Sequence, residues 1–399
     1  MTQRPLVMRI ITRLAGGGPP VHATLLNRHL VQHGFDSLLV FGDCASSEMN
    51  MEYLIADGDR VERVSSLGAN PNPALDLLAL FQLWRLMRRY RPAIVHTHTA
   101  KAGVLGRCAA ILAGIPCVVH TYHGHVLEGY FGSFANWCLR QTERALAHAS
   151  TALCTVSRQQ ADELSNRFLV APPEKFHVVP LGVDLTPFLS LPLPDFSAPV
   201  LTIGWLGRFV PIKNLPLLID IATLAARQGL PLKFLIAGDG PERAQVEEEI
   251  RDRNLPNIRL LPWQDKVDGV IEQCHLMILT SHREGTPLAL IQGMASARPF
   301  LSTPAGGTVD LMTGNCKPTP TAWWYDNAVL SSASPVAFVE VLRGILANRD
   351  RLRSMAVSSR TFAQASFDQP RLVGDIASLY QQLLSQQEAV SHPVVEHFL

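Results

Sequence analysis

Leu6–Thr12 is an apolar run that leads into Gly16-Gly17-Gly18-Pro19-Pro20 and hands over to a helical stretch, Val21–His33, closed by Gly34. The same unit, a short apolar run, a glycine- or proline-marked turn and an amphipathic stretch, recurs down the chain. Apolar runs stand at Phe35–Phe41, Val61–Val64, Ile94–His96, Ile115–His120, Ala152–Val156 and Phe176–Val179. Helical patterns fall between them at 74–90, 102–113, 134–149 and 157–166. Strand-length runs alternating with helix-length stretches predict parallel strands joined by crossover helices, an α/β fold.

Thr186–Pro199 holds four prolines and no periodicity, which predicts a linker over 185–199. The pattern then restarts, with strands expected at Leu201–Gly204, Leu232–Ala237, Ile258–Leu261, Leu276–Leu279 and Phe300–Ser302. Residues 317–325 are expected to be irregular. Helices are expected at 335–348, 349–365 and 372–387. Two domains follow, 1–184 and 200–371, and a chain of 399 residues is long enough for both cores.

A net charge of +1 excludes a general nucleic-acid binder. Residues 1–183 carry 17 Lys/Arg against 13 Asp/Glu, a mild excess compatible with an anionic partner, a membrane surface or ordinary scatter. The seven cysteines are dispersed without a C-x-x-C pair, which predicts free thiols. No apolar run is long enough for a transmembrane helix, and the N-terminus enters Leu6–Ile11 without a signal-peptide pattern; a cytoplasmic protein is expected.

Chemistry gathers where strands give way to loops. Gly16, Gly17 and Gly18 allow close approach of backbone to a phosphate or sugar, or make a plain tight turn; the loop lacks G-x-G-x-x-G. His96, His98, His120, His123 and His125 collect after two successive strands. Their i, i+2 pairs raise a metal site, but no Asp, Glu or Cys completes a set at familiar spacing. His123 is favoured instead as a polar contact or weak acid/base, with no metal expected. Arg208 and Lys213 share one turn before a helix, a pairing suited to a diphosphate. In Thr280–Asp310, Glu284 sits in a turn that opens a helix of about twelve residues, and Gly306-Gly307 follows the next strand. Ala74–Tyr90 has leucines on one face and Arg85, Arg88, Arg89 and Arg91 near its end, a solvated helix terminus or a membrane-surface contact.

Seven motifs in one order carry a resemblance. They are G-G-G at 16–18, H-T-Y-H-G at 120–124, V-P-L-G-V-D at 179–184, G-R-F-V-P-I-K-N at 207–214, A-G-D-G-P at 237–241, E-G-T-P-L-A-L-I at 284–291 and P-A-G-G-T-V-D at 304–310. Over roughly residues 5–385 the chain resembles the GT-B retaining glycosyltransferases of family 4, the glycosyl transferases group 1. The resemblance implies two Rossmann-like domains facing across a cleft, with helix 372–387 crossing back to the first. It implies a UDP- or GDP-type sugar donor as substrate, no metal, and a glycan or lipid-linked acceptor in cell-surface polysaccharide or glycolipid synthesis.

The same resemblance implies roles residue by residue. Arg208 and Lys213 match the pair that neutralises the departing diphosphate. Glu284 matches the first glutamate of the E-x7-E motif, on the donor sugar's hydroxyls. The amides of Gly285, Thr286, Pro287, Leu288 and Ala289 mark the stretch that holds sugar and phosphate. Gly16–Gly18 and Gly306-Gly307 approach the diphosphate, and His123 matches the histidine near the sugar. Proline has no amide hydrogen, so Pro287 lends only shape.

Three positions depart from the pattern. Gln292 replaces the second glutamate, on the ribose, weakening donor binding by about 1–1.5 kcal/mol, roughly tenfold. Trp263 stands where a glycine is usual near the base, to stack on it or to pack between loops. Residues 315–325 replace a shorter turn. Tyr130, Phe131 and Phe134 face an acceptor or belong to the core. Two other readings are a GT-B nucleotide-sugar epimerase and a non-catalytic nucleotide-sugar-binding subunit. The first fits the paired cations less well; the second rests on Gln292.

Overall fold

The computed structural model describes residues 4–46, 48–124, 127 and 132–391, and His125, Tyr130 and Phe131 lie outside them. The chain forms two compact units, one ending at Val183 and resumed at Gln369, the other Asp184–Asp368.

The first unit begins with β1 (Leu6–Arg13), α1 (Gly18–His29), β2 (Asp36–Gly42), β3 (Val61–Arg63), α2 (Pro73–Tyr90), β4 (Ile94–His98) and α3 (Ala100–Ala113). It continues through β5 (Cys117–Tyr122), α4 (Ser133–Ala149), β6 (Ala152–Thr155), α5 (Arg158–Asp162) and β7 (Phe176–Val178). The strands pair in parallel in the order β3-β2-β1-β4-β5-β6-β7. Strand order therefore reverses between β1 and β4, and ligands of such sheets bind outside the strand C-termini at that point. The glycine loop follows β1, and His98 ends β4.

Proline and glycine punctuation sets these boundaries. Pro19 and Pro20 lie in the first turn of α1, where a missing amide costs nothing, and Gly34 closes the following 3₁₀ turn in the left-handed region at φ 86°. Asn72 caps α2 by accepting from the Leu75 amide, and Ser157 caps α5 through the Gln160 amide. In α2 the inward face is Ala79, Leu83 and Met87, while Leu75, Leu77, Leu78 and Phe81 are exposed. The leucines thus point both ways, unlike the single apolar face expected.

One buried ionic cluster ties three elements together. Arg107 of α3 makes a two-pronged contact to Glu143 of α4 at 2.9 and 2.8 Å, and Tyr122 of β5 donates to the same carboxylate at 2.7 Å. Burial and the carboxylate beside it push the Tyr122 phenol well above its usual range.

The second unit runs through α6 (Thr186–Leu189), β8 (Leu201–Arg208), α7 (Leu215–Arg227), β9 (Leu232–Asp239), α8 (Arg243–Asp252), β10 (Ile258–Leu261), α9 (Asp268–Glu272) and β11 (Leu276–Leu279). It ends with α10 (Leu288–Ala295), β12 (Phe300–Ser302), β13 (Lys317–Pro318), β14 (Ala322–Trp324), β15 (Ala328–Ser331), α11 (Pro335–Ala347) and α12 (Arg349–Phe367). The sheet order is β10-β9-β8-β11-β12-β15-β14-β13, with the reversal between β8 and β11.

Two expectations change here. The segment 185–199 is not a free linker. Phe196 is a core residue, Arg360 donates to the Leu191 carbonyl at 2.6 Å, and buried Arg298 donates to that of Pro192 at 2.9 Å. Its prolines break periodicity, but the carbonyls they leave are taken up by arginines. The segment 317–325 is not irregular either. Its β14 pairs antiparallel with β15 and β13 antiparallel with β14, extending the sheet, with Trp324 inside under the Arg351 guanidinium, 4.0 Å from the ring centre.

From Gln369 the chain returns to the first unit as α13 (Gln369–Ser391). Leu372, Ile376 and Tyr380 enter its core beside Phe35 and Val119. Arg371 donates to the carbonyls of Pro180 and Leu181 at 2.7 and 3.1 Å.

Removing the Glu143 carboxylate leaves Arg107 charged and unpaired in the core, a loss of about 3–5 kcal/mol. Glu143→Ala is expected to lower urea stability by that order, with Glu143→Gln in between, measured on the folded full chain.

Candidate active site

In the second unit the loops after β8, β11 and β12 meet at one sheet edge. Arg208 is the last residue of β8, exposed, and without an ion pair among the described residues. The chain turns through Pro211–Lys213 and enters α7 from Asn214, held at φ 52°. Two bonds then pin this loop to the one after β11: Thr280 Oγ1 donates to the Lys213 carbonyl at 3.1 Å, and the His282 amide to that of Ile212 at 2.9 Å.

That clamp aims Lys213 at Glu284. Lys213 Nζ lies 2.6 Å from Glu284 Oε1, and Ser281 Oγ donates to the same oxygen at 2.6 Å. The Glu284 side chain is 10% exposed, so its charge depends on these partners. Its carbonyl in turn accepts from the Gly307 amide at 3.1 Å. Gly306 makes this approach with φ 53°; a Cβ there would lie 2.0 Å from the Glu284 carbonyl oxygen. Thr303 Oγ1 fixes the Ser281 carbonyl at 2.7 Å. Glu284 is therefore held by side chain and backbone from three loops.

Helix α10 has eight residues, not twelve, because 284–287 stays as loop to carry Glu284. Gly285, Thr286, Leu288 and Ala289 are half-buried at its N-terminus and Pro287 is buried. Gln292, half-buried, lies one turn further along α10. Trp263 follows β10, two strands from β8 along the same edge, and its Nε1 donates to Asp265 at 3.2 Å. No hydrogen bond among the described residues ties it to the Arg208, Lys213 or Glu284 loops.

In the first unit, Gly17 at φ 143° is the N-cap of α1, whose first amides have no side-chain cap. Gly16 is fixed by its amide to the Met49 carbonyl at 3.0 Å. Beside this loop lie the histidines. His96 Nδ1 meets Tyr380 OH at 2.5 Å and its Nε2 meets Thr121 Oγ1 at 2.7 Å. His120 Nδ1 meets Thr97 Oγ1 at 2.8 Å, and His98 Nδ1 meets His123 Nε2 at 3.0 Å. His22, from α1, packs edge-on to His123 with ring centres 4.9 Å apart. Sequence spacing missed His22 because it lies far from the other histidines and only the β1–β4 neighbourhood brings it in. It missed Ser281 too, although T-S-H-R-E places it three residues before Glu284. Phe134 is 78% exposed and stacks on Trp137 rather than entering the core.

Burial holds His22, His96, His98 and His120 well below the ordinary histidine range, and desolvation pushes His123 down to about 3 although part of the residue is exposed. All five are neutral near pH 7.

Two family patterns match the chain: Glycosyltransferase Family 4 over residues 16–187 and Glycosyl transferases group 1 over residues 200–348. This is a family 4, group 1 type glycosyltransferase. The chain is 29% identical over 276 residues to the Escherichia coli UDP-Gal:alpha-D-GlcNAc-diphosphoundecaprenol alpha-1,3-galactosyltransferase, covering 66% of this chain and 71% of that one. Among solved structures it is similar to the sucrose-phosphate synthase of Thermosynechococcus elongatus, with TM-score 0.76, 18% identity and coverage of 96% and 100%. It is also similar to HepE of Anabaena in complex with UDP and glucose, with TM-score 0.72, 16% identity and coverage of 95% and 100%. At such identities the structures speak for the fold, a two-domain α/β GT-B fold. The glycosyltransferase thus places Arg208, Lys213 and Glu284 at the reversal point of its second sheet.

The neutral histidines make stability depend on pH. Each has a folded pKa below its unfolded value of about 6.5, so the unfolded chain takes up protons first on acidification. Their contribution is complete above that pH and declines below it, by roughly 1.4 kcal/mol per pH unit for each histidine. In chelator-containing buffer the urea midpoint is expected to fall between pH 7 and 5, and to fall less in His120→Asn; a flat profile contradicts the assignment.

Proposed function

We propose that this glycosyltransferase is a retaining enzyme that moves a sugar from a UDP- or GDP-type donor to a glycan or lipid-linked acceptor, without a metal. The carrying observation is the second unit's edge, where Arg208, a cation with no ion partner among the described residues, stands at the end of β8 beside the ion-paired Lys213–Glu284 clamp. As the bond from the sugar's anomeric carbon to the diphosphate breaks, negative charge develops on the leaving oxygen. Arg208 and Lys213 neutralise it, and fixed cations need no reorganisation at that moment. Glu284 accepts from the sugar's hydroxyls beside that carbon. The acceptor hydroxyl attacks the face that the nucleotide leaves and passes its proton to the departing diphosphate, so the anomeric configuration is kept. We assign Gly16–Gly18 and His123 of the first unit to contacts with a sugar or phosphate group, and Gly306-Gly307 of the second to the donor's phosphates.

The galactosyltransferase relative is named for a UDP donor and a diphosphoundecaprenol-linked acceptor, which supports a UDP sugar and a lipid-linked acceptor here. HepE, solved with UDP and glucose, supports the same donor class. Gln292 accepts one neutral hydrogen bond from the ribose where a glutamate would accept a stronger one.

Purified enzyme is to be incubated with UDP- and GDP-sugars and an acceptor lipid extract. Transfer with retained anomeric configuration is expected, and Arg208→Ala and Glu284→Ala are each expected to cut turnover by about 10²–10³-fold. Unchanged turnover in both variants, or an inverted product, overturns the assignment.

We also assign the α2–α3 face to an anionic membrane surface. Leu77 and Phe81 are 68% and 54% exposed, Ile111 and Leu112 are exposed at the end of α3, and exposed Arg85, Arg88 and Arg89 follow within α2. Among the described residues no helix is long and apolar enough to cross a membrane. Sedimentation with phosphatidylglycerol vesicles is expected, reduced several-fold in Leu77→Ser/Phe81→Ser and by raised salt; equal recovery with neutral vesicles contradicts it.

A further inference from the structure

We propose that His22, His98 and His123 bind one divalent transition-metal ion of the zinc class, and that the bound ion inhibits transfer by occupying His123. The inhibition, not the site, rests on the function proposed above.

The three imidazoles come from separate elements: His22 from the second turn of α1, His98 from the end of β4, His123 from the residue after β5. One ligand nitrogen from each lies within 4.8 Å of the others. Zinc–nitrogen bonds of about 2.0–2.1 Å in a tetrahedron put ligand nitrogens roughly 3.3 Å apart. His98 Nδ1 and His123 Nε2, which share a hydrogen bond at 3.0 Å, already have nearly that separation, and both can bind once the ring that carries the shared proton moves it to its other nitrogen. His22 therefore closes the set by side-chain torsion within a packed scaffold, since a ring nitrogen moves by at most about 1.5 Å.

The bonding of these rings points the same way. Among the described residues, both nitrogens of His22 and Nε2 of His98 are buried without a hydrogen-bond partner. His22 and His98 are 1% and 0% exposed, so no bulk water reaches them. Leaving buried polar groups unpaired is costly, and a structure does not ordinarily keep three together for packing alone. By contrast, neighbouring His96 and His120 each have a hydroxyl partner. All three members are neutral at pH 7, the form that offers a lone pair to a metal.

The donor set selects the ion. Three imidazoles and no carboxylate suit Zn²⁺, Co²⁺, Ni²⁺ or Cu²⁺ and not Mg²⁺ or Ca²⁺, and leave a fourth position for water or an anion. His123, half-buried, is the member open to the surface and gives the ion its way in. The Arg9 and Arg371 charges, which act on His22, oppose a dication and limit the affinity. The site is thus suited to reversible occupancy, in which zinc and the donor sugar compete for His123.

The full chain, stripped with chelator, is to be titrated with Co²⁺ followed by visible absorption, and dialysed against Zn²⁺ with metal analysis. One ion per chain with tetrahedral Co²⁺ bands lacking thiolate charge transfer is expected, with at least tenfold weaker binding in His22→Gln. Circular dichroism and the urea midpoint check that His22→Gln is folded; should it be unfolded, His98→Gln takes its place. No retained ion, thiolate bands, or undiminished binding in the folded variant overturns the site. In donor turnover, Zn²⁺ is expected to inhibit wild type more than tenfold, reversibly by chelator, and to spare His22→Gln. Binding without inhibition overturns the inhibitory role alone, and the binding arm needs no turnover to be read.

Discussion

Glu284 keeps a carboxylate at the end of β11 with only a tenth of its side chain in solvent, and Lys213 at 2.6 Å is what makes that tolerable. A carboxylate so placed needs a cation and hydrogen-bond donors to replace the water it has lost. Lys213 reaches it only because Thr280 and His282 bind the backbone of the 208–214 loop. The Gly306-Gly307 loop reaches it only because position 306 lacks a Cβ. Strand order brings these loops together, with β8, β11 and β12 adjacent although β9 and β10 intervene in sequence between β8 and β11. The clamp is thus a consequence of topology, and the loops' sequences are fitted to it.

This explains how much was legible beforehand. Alternating apolar runs and helical stretches state the α/β class, and β10, β11 and β12 have the bounds that their apolar runs give. Arg208, Lys213 and Glu284 stand out because charges at strand ends are informative. Their pairing is not legible, since nothing local says that β11 lies beside β8. Ser281, Thr280 and Thr303 are common polar loop residues until the neighbouring carbonyls are known. The 185–199 and 317–325 segments misled for a related reason. Proline and threonine remove periodicity, while arginines distant in sequence, Arg298 from the loop before β12 and Arg351 and Arg360 from α12, supply the order.

In the first unit, polar residues are buried by a different logic. Arg9 is wholly buried on β1, bound to Ser37 at 2.9 Å and Tyr380 at 3.3 Å. Tyr380 also closes on His96, so a residue of α13 completes the hydrogen bonding of β1 and β4. Burial pushes its phenol up to about 12, which keeps it a donor. The Arg107–Glu143–Tyr122 cluster does the same between α3, α4 and β5. Both clusters lie beneath the loop ends that carry chemistry, where movement of a strand end would move His98 or His123.

The two units therefore meet the need for polar groups at a sheet edge in opposite ways. The second uses full charges, and a charge there is kept by exposure, as Arg208 is, or by an opposite charge, as Lys213 is by Glu284. The first uses imidazoles that burial strips of their protons. A neutral imidazole can donate from one nitrogen and accept at the other, which suits a sugar hydroxyl, itself both donor and acceptor. It also avoids setting a second strong positive field beside the rings, where the Arg9 charge already acts. A neutral imidazole keeps a lone pair on one ring nitrogen, and among the described residues both nitrogens of His22 and Nε2 of His98 have no partner. An edge of neutral imidazoles that suits a hydroxyl also suits a metal ion of the zinc class, and His22 is the one member of the proposed metal site that neither of the histidine pairs in the sequence contains.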